Sequence, residues 1–313
     1  EDDTMYVVSR SYEYRPDGKR ITICTVDEDY IGEFARGVTD VGESEASSAD
    51  GAIIWPTAIA LDSEGNVYVA DEALNRISIY TKDGEYLNKW ERPGSGDGEW
   101  DKPSGLAFDR EDNLYLVDSG NNRIQKLTKD GEYIAQWGSK GTGDGQFNLP
   151  WGIAQDSEGK LYVADWRNDR IQKFTGEGGL LAVFGESGED DGQFNRPSGV
   201  VVDGDGNVYV ADWGNERVQV LDPNGAFVVK SRGEATLSKW AENFLKINSE
   251  EADARSRANL EPDIDFDPND PHEESSHIEK LFWSPMSIKL DSSGKLYVTE
   301  SNRHRIQIFQ TAG

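Results

Sequence analysis

The feature that most constrains this sequence is a repeat of 47 residues. Pro56, Pro103, Pro150 and Pro197 lie 47 residues apart, and Pro285 follows after a further 88 residues, which is 47 plus 41. Each proline is followed by an aspartate after six residues, a tyrosine after twelve, an acidic residue after fifteen, an arginine after twenty and a glycine after twenty-eight. So regular a spacing indicates one supersecondary unit that recurs five times.

Each repeat contains four segments that read as short strands. In the repeat that begins at Pro197, "SGVVVD" is apolar throughout, as expected for a strand covered on both faces, whereas "NVYVAD" and "RVQVLD" alternate. The turns "DGDGN" and "PNG" separate these segments, and "AFVVK" follows. Four antiparallel strands per repeat are typical of a β-propeller blade. The sequence therefore predicts an all-β fold, a single propeller domain over 1–313, with blades that start near residues 56, 103, 150, 197 and 285.

The repeat also carries a family resemblance. The string PxGxxxDxxGNxYVADxxNxRIQxF, as it stands in 150–174 and 197–220, resembles the NHL repeat. The resemblance covers about 56–230 and 285–313. It implies a propeller, most often of six blades, in a family that includes protein and RNA binders, sensor domains and some lyases. A fold shared by so many activities does not select one of them.

The number of blades depends on the N-terminal segment. Residues 5–40 are interpreted as a partial blade, because "MYVVSR", "RITICT" and "YIGEFAR" align with strands two to four of a repeat. In this alignment Tyr6 matches the repeated tyrosine and Arg20 the repeated arginine. We expect a six-bladed β-propeller in which the N-terminal strands join the C-terminal ones; the alternative is five blades with an additional N-terminal hairpin.

The 41 additional residues predict an insertion over 232–284, before the last blade. In "TLSKWAENFLKI" the residues Leu237, Trp240, Ala241, Phe244 and Leu245 have helical spacing, which predicts one amphipathic helix. The stretch 249–279 is acidic and poor in apolar residues, so we expect a long or partly disordered loop there. The insertion could cap the channel or pack on the rim of the propeller.

The positions that vary between repeats predict the functional site. The loops between strands two and three, and the starts of the inner strands, share one face of a propeller, around the mouth of its channel. The residues expected to form an aromatic and cationic ligand-binding cluster there are Trp151, Trp166, Arg167, Trp213, Arg303 and His304. Tryptophan and arginine combine large contact area with directional hydrogen bonds, as recognition sites require. The alternative is that the tryptophans only pack against neighbouring blades.

The repeated acidic residue and arginine, such as Asp165 and Arg170, are interpreted as structural. Five copies of one pair cannot form a single active site, whereas charge-assisted hydrogen bonds would fix the hairpin between strands two and three.

A metal site has little support in the sequence. The three histidines, His272, His277 and His304, do not recur on the inner strands, unlike the histidines of the amidating lyases that share this repeat. Ca²⁺ and Mg²⁺ need only oxygen ligands, so carboxylates and carbonyls of this chain could bind either ion as a cofactor. "DIDFDPNDPHEE" imitates a calcium loop, but its sixth position is Pro268, where glycine is needed.

Charge and composition restrict the partners. With 59 acidic and 32 basic residues the chain has a net charge of −27, which opposes nucleic acid and anionic lipid surfaces. The single cysteine, Cys24, suits a reducing compartment, so a cytoplasmic location is favoured; a secreted or periplasmic one is the alternative if a signal peptide has been removed.

The sequence favours a scaffold that binds a protein, a peptide or a small molecule at the loop face. The alternative is a lyase or hydrolase that depends on a divalent cation, with Arg167, Arg303 or His304 stabilising negative charge.

Overall fold

The computed structural model describes residues 4–10, 18–36, 49–267 and 270–311. The chain divides into two compact units. One comprises Glu1–Asn168 and Gln172–Ala182, and the other comprises Asp169–Ile171 and Val183–Gly313. We call them unit 1 and unit 2.

The described strands form six antiparallel sheets, and the fourth of these contributes residues to both units. The first three sheets contain β1 (Thr4–Ser9), β2 (Arg20–Thr25) and β3 (Tyr30–Phe34); β4 (Pro56–Leu61), β5 (Val67–Asp71), β6 (Arg76–Tyr80) and β7 (Tyr86–Glu91); and β8 (Pro103–Phe108), β9 (Leu114–Asp118), β10 (Arg123–Leu127) and β11 (Tyr133–Trp137). The last three contain β12 (Ile153–Gln155), β13 (Leu161–Asp165), β14 (Arg170–Phe174) and β15 (Leu180–Phe184); β16 (Pro197–Val202), β17 (Val208–Asp212), β18 (Arg217–Leu221) and β19 (Phe227–Ser231); and β20 (Pro285–Leu290), β21 (Lys295–Glu300) and β22 (Arg305–Gln310).

The N-terminal strands settle the blade count at six. β1, β2 and β3 form a sheet of their own, with each strand paired to the next, so the alternative of five blades with an additional hairpin is wrong. The expectation that these strands join those of the C-terminus is corrected too, because β20, β21 and β22 form a separate sheet. The parts of the predicted segment 5–40 that fall at 11–17 and 37–40 lie outside the described residues.

The insertion contains more helix than the sequence was expected to give. The predicted amphipathic helix is present as α1 (Lys239–Ile247), and Ser238 caps it by accepting a hydrogen bond from the Ala241 amide. The stretch expected to be a loop contains two further helices, α2 (Ser249–Arg257) and α3 (Pro271–His277). Acidic residues in their first turns and basic residues in their last turns complement the helix dipole, which offsets the shortage of apolar residues.

The repeated aspartate and tyrosine of each repeat build the turn between the first two strands. Asp203 Oδ1 accepts hydrogen bonds from the amides of Asp205 (3.0 Å) and Asn207 (2.8 Å), and the Tyr209 hydroxyl donates to Asp203 Oδ2 (3.1 Å). Burial, together with Asp203, raises the pKa of Tyr209 to about 12, so this hydroxyl remains a donor. The aspartate holds the turn because its Oδ1 satisfies two backbone amides that the ladder leaves unpaired, while its Oδ2 ties the turn to Tyr209.

The repeated glycine allows close packing between consecutive sheets. Gly178 has a φ of +87°, and a Cβ there would lie 2.6 Å from the indole ring of Trp137 on β11. Gly225 stands in the same relation to Phe184 on β15, with a φ of +88°. Only glycine meets both demands, a left-handed backbone and an aromatic ring against the Cα.

Candidate functional site

The repeated acidic residue and arginine form buried ion pairs, as expected for a structural role. The distances from arginine Nε to the carboxylate are 2.7 Å for Arg123–Asp118, 2.8 Å for Arg217–Asp212 and 2.6 Å for Arg305–Glu300. The rest of the Arg217 guanidinium is occupied as well, because Nη1 donates to the carbonyl of Glu189 (2.6 Å) and Nη2 donates to the carbonyls of Asp190 and Gln193, both at 2.9 Å. These pairs fix the hairpin and its preceding loop.

Trp166 and Trp213 each begin a single turn of 3-10 helix between the second and third strands, at Trp166–Asn168 and Trp213–Asn215. The third residue of each turn holds it in place. Asn215 Nδ2 donates to Asp212 (2.9 Å) and to the carbonyl of Gly188 (2.9 Å). The tryptophan is therefore presented from a rigid turn rather than from a mobile loop.

In unit 1 the structure brings three of the predicted site residues together. The rings of Trp151 and Trp166 lie 6.3 Å apart between centroids, and the guanidinium of Arg167 lies 5.4 Å from the Trp166 ring centroid. Arg167 is exposed and the two tryptophans are half-buried. We call these three residues the Trp166 patch.

In unit 2 Trp213 lines a cavity of about 370 Å³ together with Asn195, Arg196, Gly214, Glu216 and His272. We call it the Trp213 cavity. The exposed guanidinium of Arg196 lies 5.9 Å from the Trp213 ring centroid, a cation–π distance. The cavity thus joins an aromatic wall to a permanent cation.

Glu216 occupies a position that has a constant task in the repeats. The residue before each third strand has a positive φ, and its side chain accepts the amide of a loop residue that leads into the next sheet. These contacts are Asn75 with Lys102 (2.7 Å), Asn122 with Leu149 (2.8 Å), Asp169 with Arg196 (2.7 Å) and Glu216 with Ser284. The four residues act as latches between successive sheets. Glu216 has the longest side chain of the four, and that side chain is charged.

The extra length of Glu216 connects the latch to the insertion. Glu216 Oε2 accepts the Ser284 amide, while Oε1 accepts from His272 Nδ1 (2.5 Å) on α3. Trp283 Nε1 donates to His272 Nε2 (3.0 Å), so Nε2 bears the lone pair and Nδ1 the hydrogen. Burial raises the pKa of Glu216, although the Ser284 amide and His272 oppose this effect. Both ring nitrogens of His272 therefore hold α3 beside the cavity.

Replacing Glu216 by asparagine tests this connection, since asparagine is the latch residue of two other repeats. We expect the Ser284 amide to stay bonded and the contact with His272 to be lost. Losing this hydrogen bond should lower the free energy of local opening of α3 by about 1 kcal/mol. The amides of α3 would then exchange roughly fivefold faster in hydrogen–deuterium exchange. Asp169→Asn is the matched control, with no expected change in α3. Unchanged exchange in Glu216→Asn would mean that His272 does not hold the helix.

Arg303 and His304, also predicted as site residues, lie outside the lining of the Trp213 cavity. Arg303 Nη2 donates to the carbonyls of Ser275 (2.6 Å) and Ile278 (3.0 Å) at the end of α3, and its guanidinium lies 5.4 Å from the Trp283 ring centroid. Arg303 thus positions α3. His304 is exposed, with a φ of +52°.

Sequence reasoning missed Arg196, Glu216 and His272. Arg196 stands just before the repeated proline, outside the loops and strand starts from which the site was predicted. His272 lies in the stretch expected to be a loop, although Asp270 as N-cap, Pro271 as first residue and acidic residues behind them are helix-start signals.

No three histidine, cysteine, aspartate or glutamate side chains are grouped to hold a metal ion in the part of the chain that the structure describes. Pro268 of the calcium-loop imitation lies outside that part. A Ca²⁺ or Mg²⁺ site therefore stays a prediction. Among the described helices, none combines the length and the apolar composition needed to cross a membrane.

Comparison with known proteins identifies the class. The family model for the NHL repeat matches residues 147–174, 194–221 and 282–309, and a model described as a 6-bladed beta-propeller matches 59–127. The chain is a six-bladed β-propeller. It belongs to the NHL-repeat β-propeller family.

Solved structures share the fold at low sequence identity. A protein of unknown function from Bacteroides caccae is 13% identical with a TM-score of 0.57, over 96% of this chain and 83% of that one. A catalytically inactive virginiamycin B lyase from Staphylococcus aureus, solved with quinupristin, is 15% identical with a TM-score of 0.54, over 99% and 85%. A structure of a nidogen/laminin complex is 15% identical with a TM-score of 0.58, over 98% and 88%. No curated protein matches the chain. Identities this low establish the fold alone.

Proposed function

We propose that this protein is a binding scaffold whose Trp213 cavity holds a carboxylate attached to an apolar or aromatic group, either in a small molecule or at the C-terminus of a peptide. The observation that carries the proposal is the guanidinium of Arg196 over the Trp213 ring, at the wall of a 370 Å³ cavity. This volume lies within the range of about 300 to 1,000 Å³ that is usual for small-molecule sites.

The chemistry of the wall favours this ligand class. A carboxylate can form charge-assisted hydrogen bonds with Arg196 and accept from the side-chain Nδ2 of Asn195, while the apolar part of the ligand covers Trp213. The Glu216 carboxylate is already occupied by the Ser284 amide and His272. The chain has a net charge of −27, so the exposed guanidinium of Arg196 at the aromatic wall supplies a local positive charge to which an anionic ligand can bind.

The Trp166 patch offers a second contact surface. Trp151 and Trp166 present two neighbouring indole rings, and Arg167 adds a cation next to them. We propose that this patch binds aromatic or acidic side chains of a peptide or protein ligand. The virginiamycin B lyase and the nidogen/laminin complex share the fold of this chain, and neither identifies the ligand.

The enzyme alternative, a divalent-cation-dependent lyase or hydrolase, is not favoured by a specific observation among the described residues. Of its predicted catalytic residues, Arg303 donates to two carbonyls of the α3 segment. Both nitrogens of His272 are likewise engaged, which leaves that imidazole no lone pair with which to accept a substrate proton in this conformation.

Isothermal titration calorimetry with N-acetyltryptophan and its neutral amide tests the proposal. We expect the carboxylate to bind at least about tenfold more tightly than the amide, because a hydrogen bond to a charged group contributes about 1.5 to 3 kcal/mol. Arg196→Met should remove this difference. Arg110→Met, which alters an exposed arginine on another loop, is the control and should leave it intact.

Two results would count against this assignment. If both probes bind equally to the wild-type protein, the cavity does not recognise a carboxylate. If Arg167→Met abolishes the difference and Arg196→Met does not, the carboxylate is recognised at the Trp166 patch instead.

A further inference from the structure

Helix α1 exposes a row of large apolar side chains. Trp240 is 53% exposed, Phe244 is 54% exposed and Ile247 is 83% exposed, and no residue of the helix is buried. Positions i, i+4 and i+7 lie on one face of a helix, so the three side chains form a continuous stripe. Among the described elements α1 packs mainly on α2. A stripe of this kind indicates an interaction surface.

We infer that the exposed face of α1 binds the α1 of a second copy of this chain. The row is self-complementary. When two such helices pair antiparallel about a two-fold axis at Phe244, Trp240 of each copy lies against Ile247 of the other, and the two Phe244 rings meet at the axis. A two-fold interface needs a patch that matches itself in this way.

The charge distribution favours a second copy at this place. Two chains that each carry a net charge of −27 repel one another over most of their surfaces. Helix α1 is an exception, because Lys239 and Lys246 outnumber its single acidic residue, Glu242. Approach through α1 therefore avoids bringing two acidic faces together, and added salt, which screens the remaining repulsion, should strengthen the association.

The size of the stripe predicts a weak and reversible dimer. An aromatic side chain buries about 150 to 250 Å² when it is covered completely, and about half of Trp240 and of Phe244 is available. Together with Ile247 and the surrounding polar rim, the area falls below the roughly 800 Å² per partner of a standard interface. A dissociation constant in the micromolar range follows.

A membrane surface fits the face less well. Helices that lie on anionic bilayers carry lysine- and arginine-rich polar faces, whereas α2 follows α1 directly and has Glu250 and Glu251 in its first turn. Binding of α1 to a bilayer is therefore tested as the competing result.

Sedimentation velocity over about two decades of protein concentration around 10 μM tests the inference. We expect a monomer–dimer equilibrium that Phe244→Glu shifts to monomer, with the dissociation constant raised at least about tenfold. Leu181→Glu is the matched control, since Leu181 is 48% exposed on β15, and it should leave the equilibrium unchanged. Circular dichroism of both variants verifies that they are folded.

The inference is overturned if the wild-type chain is monomeric over the whole range, or if the two variants shift the equilibrium equally. A parallel co-sedimentation with phosphatidylcholine/phosphatidylglycerol vesicles gives the third contradictory result. A monomeric chain that binds these vesicles, and loses the binding in Phe244→Glu, would assign the face to a bilayer.

Discussion

Replacement of Asp212 by alanine is expected to lower the free energy of unfolding by about 3 to 5 kcal/mol, the cost of breaking a buried ion pair from one side. Asp212 is fully buried, and its two oxygens accept hydrogen bonds from the Asn195 amide (2.8 Å), Asn215 Nδ2 (2.9 Å), Arg217 Nε (2.8 Å) and Gln219 Nε2 (3.2 Å). The substitution would leave the Arg217 guanidinium charged and buried without its carboxylate. Urea unfolding followed by circular dichroism measures the loss.

Asp205→Ala is the control for this prediction. Asp205 is exposed in the turn that follows β16, and its loss should change the free energy of unfolding by less than about 0.5 kcal/mol. Equal effects of the two substitutions would show that the repeated ion pair does not stabilise the hairpin. The structural interpretation of the repeat would then be wrong.

The second large effect is expected from Gly178→Ala. The new Cβ would require a left-handed backbone, at a cost of about 1 to 2 kcal/mol, and would collide with the Trp137 ring, at a cost of about 1 to 3 kcal/mol. Gly159→Ala separates these contributions. Gly159 has a φ of +81° with nothing within 4 Å of its Cβ position, so only the backbone cost applies.

Thermal and urea unfolding of the two glycine variants measure the difference. We expect Gly178→Ala to be the less stable by about 1 to 3 kcal/mol. If the two variants are equally destabilised, Trp137 moves aside without cost, and the glycine is required by the turn alone.

The repeated residues could be interpreted from the sequence because each acts over a short distance along the chain. Asp203 bonds amides two and four residues away, and Asp212 pairs with an arginine five residues away. Such contacts leave a fixed spacing in the sequence, which is why the four-stranded blades, the turns between their strands and the structural role of the ion pairs could be predicted. The amphipathic period of α1 is a local signal of the same kind.

The candidate site could be predicted only in part. Trp213 was expected from the variable loop position, and so was the pairing of Trp166 with Arg167. The cavity itself depends on His272, which lies 56 residues from Glu216 and reaches it only because α3 folds against the fifth sheet. No local pattern records such a contact. The contact of Arg303 with the carbonyls of Ser275 and Ile278 is of the same long-range kind, and its predicted part in ligand binding stays a prediction.

The sequence alone thus determined the β-propeller fold and the pairing within each repeat, because strand period, turn chemistry and short-range pairing are written in neighbouring residues, whereas the sixth blade was decided by the sheet that β1, β2 and β3 form. Only the tertiary structure decided which variable side chains share a cavity and which helix face stays uncovered. These properties depend on contacts between segments tens of residues apart, and their spacing obeys no repeat.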